Sequence, residues 1–486
     1  MIFDSIHEEC GVFGVFETKT THVAQTAYLA LYALQHRGQE ACGIAVNDDG
    51  VFTHKKGNGL VPDVFSEEKL EALGSGNMAI GHVRYSTTGG KDLGNIQPLV
   101  IRHIKGNLAL AHNGNLVNAS ELRQGFELSG GIFHGTSDTE SIAYSIVSNR
   151  LTSKSTEEAV EKTMASLKGA YSCLVMTATK LIAFRDPNGF HPLTLGKLPE
   201  GGWCVASEFC ALDTVGAEFV RDVLPGEILV ISSEGLRSIK TYCPPQEKTS
   251  ICVFEYIYFA RPDSVLDGAS VHRARIRAGE FLAKEHPVEA DVVIGVPDSG
   301  LDAALGYARE SGIPYGIGFI KNRYIGRSFI QPSQTQREDA VRIKLNVIRE
   351  NIAGKRVVMI DDSIVRGTTC ARIVRLLREA GAKEVHMRVS APPFKHACYF
   401  GTDVDSSDDL IANRYETIEE IAEEIGVDSL GYLSVEGAHQ LAEGANVGFC
   451  DGCFTGNYPI PVPQEVEKNK FDQKLGTYSG YYDILD

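Results

Sequence analysis

No apolar run in this 486-residue chain reaches the about 18 residues of a membrane-spanning helix, so no transmembrane anchor and no membrane partner are expected. Basic residues are in deficit: 47 Lys and Arg stand against 63 Asp and Glu, for a net charge of −16. Nucleic acid backbones are held by basic patches, so general nucleic-acid binding is not expected and any anionic substrate needs a local site. Met1 to Glu9 has neither a basic stretch nor an apolar core, which excludes a secretory signal and makes the cytoplasm the expected compartment. Eleven cysteines are too sparse in a chain of this length for a disulfide framework. Cys42, Cys173, Cys204, Cys210, Cys243 and Cys370 sit in apolar or helical surroundings and read as core filling. Internal repeats and low-complexity tracts are also missing.

What is present is an ordinary folded composition, 43% hydrophobic and 23% charged, in a chain too long for one core. Up to about residue 245 short β-type runs punctuated by glycine alternate with two helices, expected over Ala24–Leu34 and Glu140–Asn149, the second capped by Thr136-Ser137-Asp138. Tyr242 to Lys248, with Pro244-Pro245, reads as a linker. From residue 249 the rhythm becomes strand, turn, helix: Asp291–Val296 then Leu301–Glu310, Arg356–Ile360 then Thr369–Ala380, and Val385–Val389. Such repetition predicts parallel βα units with ligands at the strand C-termini. The expected division is 1–9, 10–245, 249–462 and a weakly patterned tail, 463–486.

Three segments carry chemistry. In Glu8-Glu9-Cys10-Gly11-Val12-Phe13-Gly14, a cysteine freed at its N-terminus holds nucleophile and base on one residue. An α-amine of pKa about 7.7–8.0 can accept the proton of a thiol of pKa about 8.5. That requires loss of Met1 to Glu9, since an amide nitrogen has no basicity. Val357 to Thr369 is an apolar strand ending in Asp361-Asp362, followed by Ser363 and a small loop with Gly367 before a helix opens at Thr368-Thr369. Helix-start N–H groups and hydroxyls can hold a phosphate monoester, and paired carboxylates can hold ribose hydroxyls or Mg²⁺. The loop lacks the Gly-x-x-x-x-Gly-Lys-Ser/Thr of a triphosphate P-loop. A second strand end, Val296-Pro297-Asp298-Ser299-Gly300, and a basic stretch from Lys321 through Arg323 to Arg327 supply a second polar tip and a flap for pyrophosphate.

The Asp361-Asp362 loop resembles the 5-phosphoribosyl 1-diphosphate (PRPP) signature of type I phosphoribosyltransferases. Gln35-His36-Arg37-Gly38-Gln39-Glu40, Gly81 to Gly89, His112-Asn113-Gly114-Asn115 and Thr136 to Glu140, in that order after Cys10, resemble the N-terminal-nucleophile glutaminase domain of class II glutamine amidotransferases. The pair, with Glu255 to Ser264 at their junction, resembles the glutamine PRPP amidotransferase family from about Glu8 to Tyr458. This resemblance implies a two-domain chain, a four-layer αββα glutaminase sandwich followed by a type I phosphoribosyltransferase α/β domain. It implies the reaction of glutamine, water and PRPP to 5-phosphoribosylamine, glutamate and pyrophosphate, the first committed step of purine synthesis.

The residue roles it implies follow the motifs. Cys10 is the nucleophile, Asn113 and Gly114 form the oxyanion hole, and Arg84, Thr87 and Asp138 hold glutamine. Asp361, Asp362, Ser363, Val365, Arg366, Gly367, Thr368, Thr369, Lys321 and Arg327 bind PRPP, with Ser299, Asp361 and Asp362 organising Mg²⁺. One branch of the family removes a short propeptide and binds a [4Fe-4S] cluster, and Cys252, Cys398, Cys450 and Cys453 match its ligands; spacing alone leaves Zn²⁺ open. AMP and GMP are the expected feedback inhibitors, and a homodimer or homotetramer is the expected assembly. Ser299-Gly300-Leu301-Asp302 faintly resembles the loop of asparagine synthetases, an alternative amidotransferase, and a non-catalytic iron–sulfur PRPP sensor is another.

Overall fold

The computed structural model describes residues 10–17, 22–85, 93–322, 345–402, 404 and 407–463. The chain forms two compact units. The first takes the described residues up to Ile251 together with those from Tyr399 to Val404 and from Tyr458; the second takes Cys252–Cys398 and the described residues up to Asn457. Membership is therefore not sequential. The returning segment is fixed within the first unit by Phe190 stacking on Phe400, ring centroids 4.1 Å apart, and by His191 Nε2 bonded to the Phe400 carbonyl at 2.8 Å.

Two antiparallel sheets build the first unit. The seven-stranded sheet runs Glu218–Asp222, Thr194–Lys197, Gly202–Ala206, Gly11–Glu17, Met78–Arg84, Ala41–Asp48, Val51–Asn58. The six-stranded sheet runs Gly235–Ile239, Ile228–Ser232, Lys180–Arg185, Gly169–Thr177, Gly106–Leu116, Leu99–His103. Strand alternation sorts their side chains into three buried layers. Val12 and Phe16, Met78 and Ile80, and Ala109 and Ala111 fill the layer between the sheets. Phe13, Val15, Ala79 and Val83 face helix Val23–Ala33, and Leu108 and Leu110 face helices Asp138–Thr152 and Thr156–Met164. This is the αββα sandwich. Because both faces are covered, Gly11–Glu17 is buried at all seven positions and shows no polar alternation.

The strand Gly106–Leu116 carries the β-type run Leu108-Ala109-Leu110-Ala111-His112 on through Asn113-Gly114, because Asn113 to Leu116 pair with Ser172 to Gly169. His112-Asn113-Gly114 thus lies within a strand. The helix expected from Glu140 begins two residues earlier at Asp138, where Ser137 Oγ accepts the Thr139 N–H at 3.3 Å as its cap.

The second unit carries a parallel four-stranded sheet, Val292–Gly295, Arg356–Asp361, Glu384–Val389, Ser429–Tyr432. Helices Gly300–Ser311 and Thr368–Glu379 leave the C-terminal ends of its first two strands, as the βα rhythm requires. Among the described residues no helix is long and apolar enough to cross a membrane.

Candidate active sites

Cys10 precedes the strand Gly11–Glu17, whose register pairs Gly11 with Val83 and Val12 with His82. The thiol accordingly lies beside the end of the neighbouring strand, donating to the Tyr85 carbonyl at 3.4 Å. Period-two alternation puts Arg84 on the same face as Met78, Ile80 and His82, and Asn113 on the same face as Ala109 and Ala111. These faces meet between the sheets. His82 Nε2 lies 3.1 Å from the His112 carbonyl and, since a carbonyl only accepts, that nitrogen carries the proton. Burial, reinforced by the Arg84 charge, pushes the His82 pKa down to about 3, so the ring is a neutral strut.

Asn113 is 1% exposed, and neither its amide nitrogen nor its amide oxygen has a partner among the described residues. A buried amide without partners is unfavourable unless a ligand completes it. Gly114 has φ +139°, and a Cβ there would sit 2.2 Å from the Ala170 carbonyl oxygen, so only glycine fits. Asp138 is buried at the helix start; its Oδ2 accepts the Leu116 N–H at 2.9 Å and its Oδ1 lies 3.7 Å from His112 Nδ1. Gln97 braces the strand by accepting the His112 N–H at 2.6 Å and donating to Thr139 Oγ1 at 3.0 Å. Thr87 falls outside the described residues, as do Met1 to Glu9.

Cys10 is also gripped from behind. Arg37 Nε donates to the Cys10 carbonyl at 3.2 Å, and its guanidinium pairs with Glu208 at 2.6 Å, both side chains fully buried. His36 Nε2 meets the same carboxylate at 2.7 Å. Burial alone would raise the Glu208 carboxyl, but the facing His36 and Arg37 outweigh it and hold it well below the usual carboxylate range. Arg37 lies in a motif that the sequence exposes; Glu208, 171 residues away, gave no local signal.

In the second unit, Asp361 and Asp362 end the strand Arg356–Asp361, next to the end of Val292–Gly295. The Ser299 and Ser363 hydroxyls each donate to Asp362, and the Asp362 N–H donates to Asp361 Oδ1 at 3.0 Å. Burial first, then the neighbouring Asp362, drives the Asp361 carboxyl well above its usual range. Asp362 is raised by burial, opposed by its two serine donors and the Arg275 charge. Two acids sharing one strand tip favour a cation or hydroxyl donors between them. Arg275, not anticipated from sequence, is buried and donates to the carbonyls of Tyr256, Tyr258 and Ala260 at 2.7–3.0 Å, fixing the turn Glu255–Phe259.

Gly367, with φ +87°, leads from the Ser363–Arg366 loop into helix Thr368–Glu379. Lys321 Nζ pairs with Asp298 at 2.6 Å, joining the start of the expected flap to the second strand tip. Arg323 and Arg327 fall outside the described residues. Cys252, Cys398, Cys450 and Cys453 all belong to this unit. The Cys453 thiol is pushed well above its usual range by burial and then by Cys398 and Cys450, which therefore lie in its neighbourhood. The Val253 N–H bonds the Cys450 carbonyl at 3.2 Å, which brings the backbone beside Cys252 to the same place.

Residues 82–214 match the glutamine amidotransferase domain family and residues 269–413 the phosphoribosyl transferase domain family. The amidophosphoribosyltransferase of Bacillus subtilis is 50% identical over 467 residues, covering 95% of this chain and 96% of that protein. That of Archaeoglobus fulgidus is 48% identical over 458 residues, covering 94% and 99%. A solved structure of the allosteric regulatory enzyme of purine biosynthesis superposes with a TM-score of 0.88 at 48% identity, covering 96% of this chain and all of that one. Glutamine PRPP amidotransferase from B. subtilis, solved with ADP and GMP, gives a TM-score of 0.86 at 49% identity, covering 94% and 98%.

The buried ion pair yields a test. Glu208→Gln leaves the Arg37 charge without its counter-charge, and urea unfolding at pH 7 should show a loss of about 3–5 kcal/mol. The folded protein keeps Glu208 ionised at pH values where the unfolded chain, with a glutamate pKa of about 4.3, is protonated. Its stabilisation is therefore complete above that pH and falls away on acidification, so the difference from wild type should shrink below about pH 4. A pH-independent difference would contradict an ionised Glu208.

Proposed function

Because the chain belongs to the amidophosphoribosyltransferase family, we propose that it converts glutamine, water and PRPP to 5-phosphoribosylamine, glutamate and pyrophosphate, opening purine synthesis. One observation carries the reading. The chain combines a buried Asn113 amide without partners among the described residues, cross-braced to the strand neighbouring Cys10, with two crowded carboxylates at a parallel strand end. An asparagine synthetase or a non-catalytic sensor is not favoured by these relatives.

Once Met1 to Glu9 is removed, the Cys10 α-amine takes the thiol proton and Sγ attacks the glutamine amide carbon. Arg84 pairs with the α-carboxylate and Asp138 with the α-ammonium, while Thr87 completes the pocket. The Asn113 amide and Gly114 N–H donate to the oxyanion, which they meet already oriented. Collapse expels ammonia with the proton held by the amine, and water releases glutamate from the thioester. In the second unit Val365, Arg366, Gly367, Thr368 and Thr369, with Ser363, hold the 5-phosphate. Asp361, Asp362 and Ser299 suit Mg²⁺, which supplies charge neutralisation of the diphosphate when bound. Lys321 exchanges Asp298 for pyrophosphate and Arg327 joins it, as ammonia displaces pyrophosphate at the ribose C1.

Cys398 and Cys450 in the neighbourhood of Cys453, with the Cys252 backbone alongside, suit a structural [4Fe-4S] cluster. AMP and GMP act as inhibitors, a reading supported by the relative solved with ADP and GMP, and the protein works in the cytoplasm as a homodimer or homotetramer.

Two substitutions separate the half-reactions. Cys10→Ser should abolish glutamine-dependent synthesis and retain or slowly lose residues 1–9, with ammonia-dependent synthesis intact. Asp362→Asn should abolish synthesis from either nitrogen source. Full-length active wild-type enzyme by intact mass, or unchanged ammonia-dependent turnover of Asp362→Asn, refutes the respective assignment. Anaerobic metal analysis should find about four irons and four sulfides per chain with brown absorbance. Zinc without sulfide overturns the cluster and leaves the reaction standing.

A further inference from the structure

The phosphate loop is held from outside by a short segment far along the chain. The Ile411 N–H donates to the Val365 carbonyl at 2.8 Å, and the Arg414 guanidinium donates to the Arg366 carbonyl. A peptide unit is planar and trans, so its N–H points opposite to its C=O. Drawing these two carbonyls toward Ile411–Arg414 turns the N–H groups of Arg366 and Gly367 to the other side. Two successive N–H groups directed alike form a nest for an anion. Gly367 is pressed on the same support, since a Cβ there would lie 2.4 Å from Ile411 Cδ1.

That support is itself tied down. Asn413 Nδ2 donates to the carbonyls of Lys395 and Ser407, both at 2.8 Å. The same Lys395 donates its N–H to the Cys453 carbonyl at 3.0 Å, as does His396. Phe394 packs on Phe454, ring centroids 4.8 Å apart. A continuous path therefore runs from the peptide of Cys453 through Lys395, Asn413 and Ile411 to the phosphate loop.

We propose that Asn413 and Arg414 are positioning residues that aim the N–H groups of the Arg366–Gly367 turn at the ribose 5-phosphate, with Asn413 anchoring them to the Cys453 peptide. The proposal rests on the assignment of that loop to the phosphate of PRPP. It touches neither the pyrophosphate end of the site nor the glutaminase unit.

The test uses the holoenzyme as purified in its active form with Asn413→Ala and, keeping the charge, Arg414→Lys. Losing one or two hydrogen bonds from the support should raise the KM for PRPP about three- to tenfold. The inhibition constant of ribose 5-phosphate against PRPP should rise by the same factor. Inhibition by pyrophosphate, the KM for glutamine, and iron and sulfide per chain should stay as in wild type. An unchanged ribose 5-phosphate constant overturns the proposal, and so does an equal rise for ribose 5-phosphate and pyrophosphate, the mark of general loosening. Wild-type enzyme that ribose 5-phosphate fails to inhibit overturns the loop assignment itself, a distinguishable failure.

Discussion

The hydrogen bond from His82 Nε2 to the His112 carbonyl spans the layer between the two sheets and sets the glutaminase geometry. One partner stands on the strand beside Cys10, the other immediately before Asn113. Alanines at 45, 109, 111 and 183 help keep the intervening layer thin. Such interiors are close-packed and yield little, so a strut of fixed length holds the two strand ends in register. Neutrality of His82 matters here, because an imidazolium beside Arg84 in that layer would be strongly disfavoured.

Buried charge is treated differently in the two units. Glu208 is answered by Arg37 and His36, and the resulting network holds the backbone of Cys10. A fully compensated network of this kind is rigid, which fixes the backbone from which the Cys10 thiol projects. Asp361 and Asp362 are left crowded, with hydroxyl donors on one acid and burial raising both. The first arrangement has its charge compensated as it stands; the second leaves its two acids crowded. That contrast marks the second as the candidate binding site in this chain.

Much of this was legible in sequence. The Asp361-Asp362 tip, the βα rhythm around it and the order of the glutaminase motifs are local patterns, and local patterns survive in a string of residues. Glu208 and Arg275 were not legible. Each acts through partners brought by the fold: Glu208 on a turn after Gly202–Ala206 meets Arg37, and Arg275 caps three carbonyls of a turn 15 to 19 residues earlier. The strand position of Asn113 was not legible for a similar reason. Its Asn-Gly pair signals a turn, but pairing with Ser172 and Tyr171 prevails.

The sequence by itself determined the chemistry available: a cysteine before Gly-Val-Phe-Gly, an acid pair at an apolar strand's end, and a Cys-x-x-Cys at Cys450 and Cys453. Those are properties of residue type and near-neighbour spacing, which folding does not alter. Only the tertiary structure decided which groups act together. It joined His82 to His112, Arg37 to Glu208 and Ile411 to Val365 across 30, 171 and 46 positions. It also gave Tyr399 and Phe400 to the first unit although Cys398 belongs to the second. The physical reason is that hydrogen-bond direction, burial and crowding depend on distances in space, and a linear order of residues carries none of these until sheets and helices close over them.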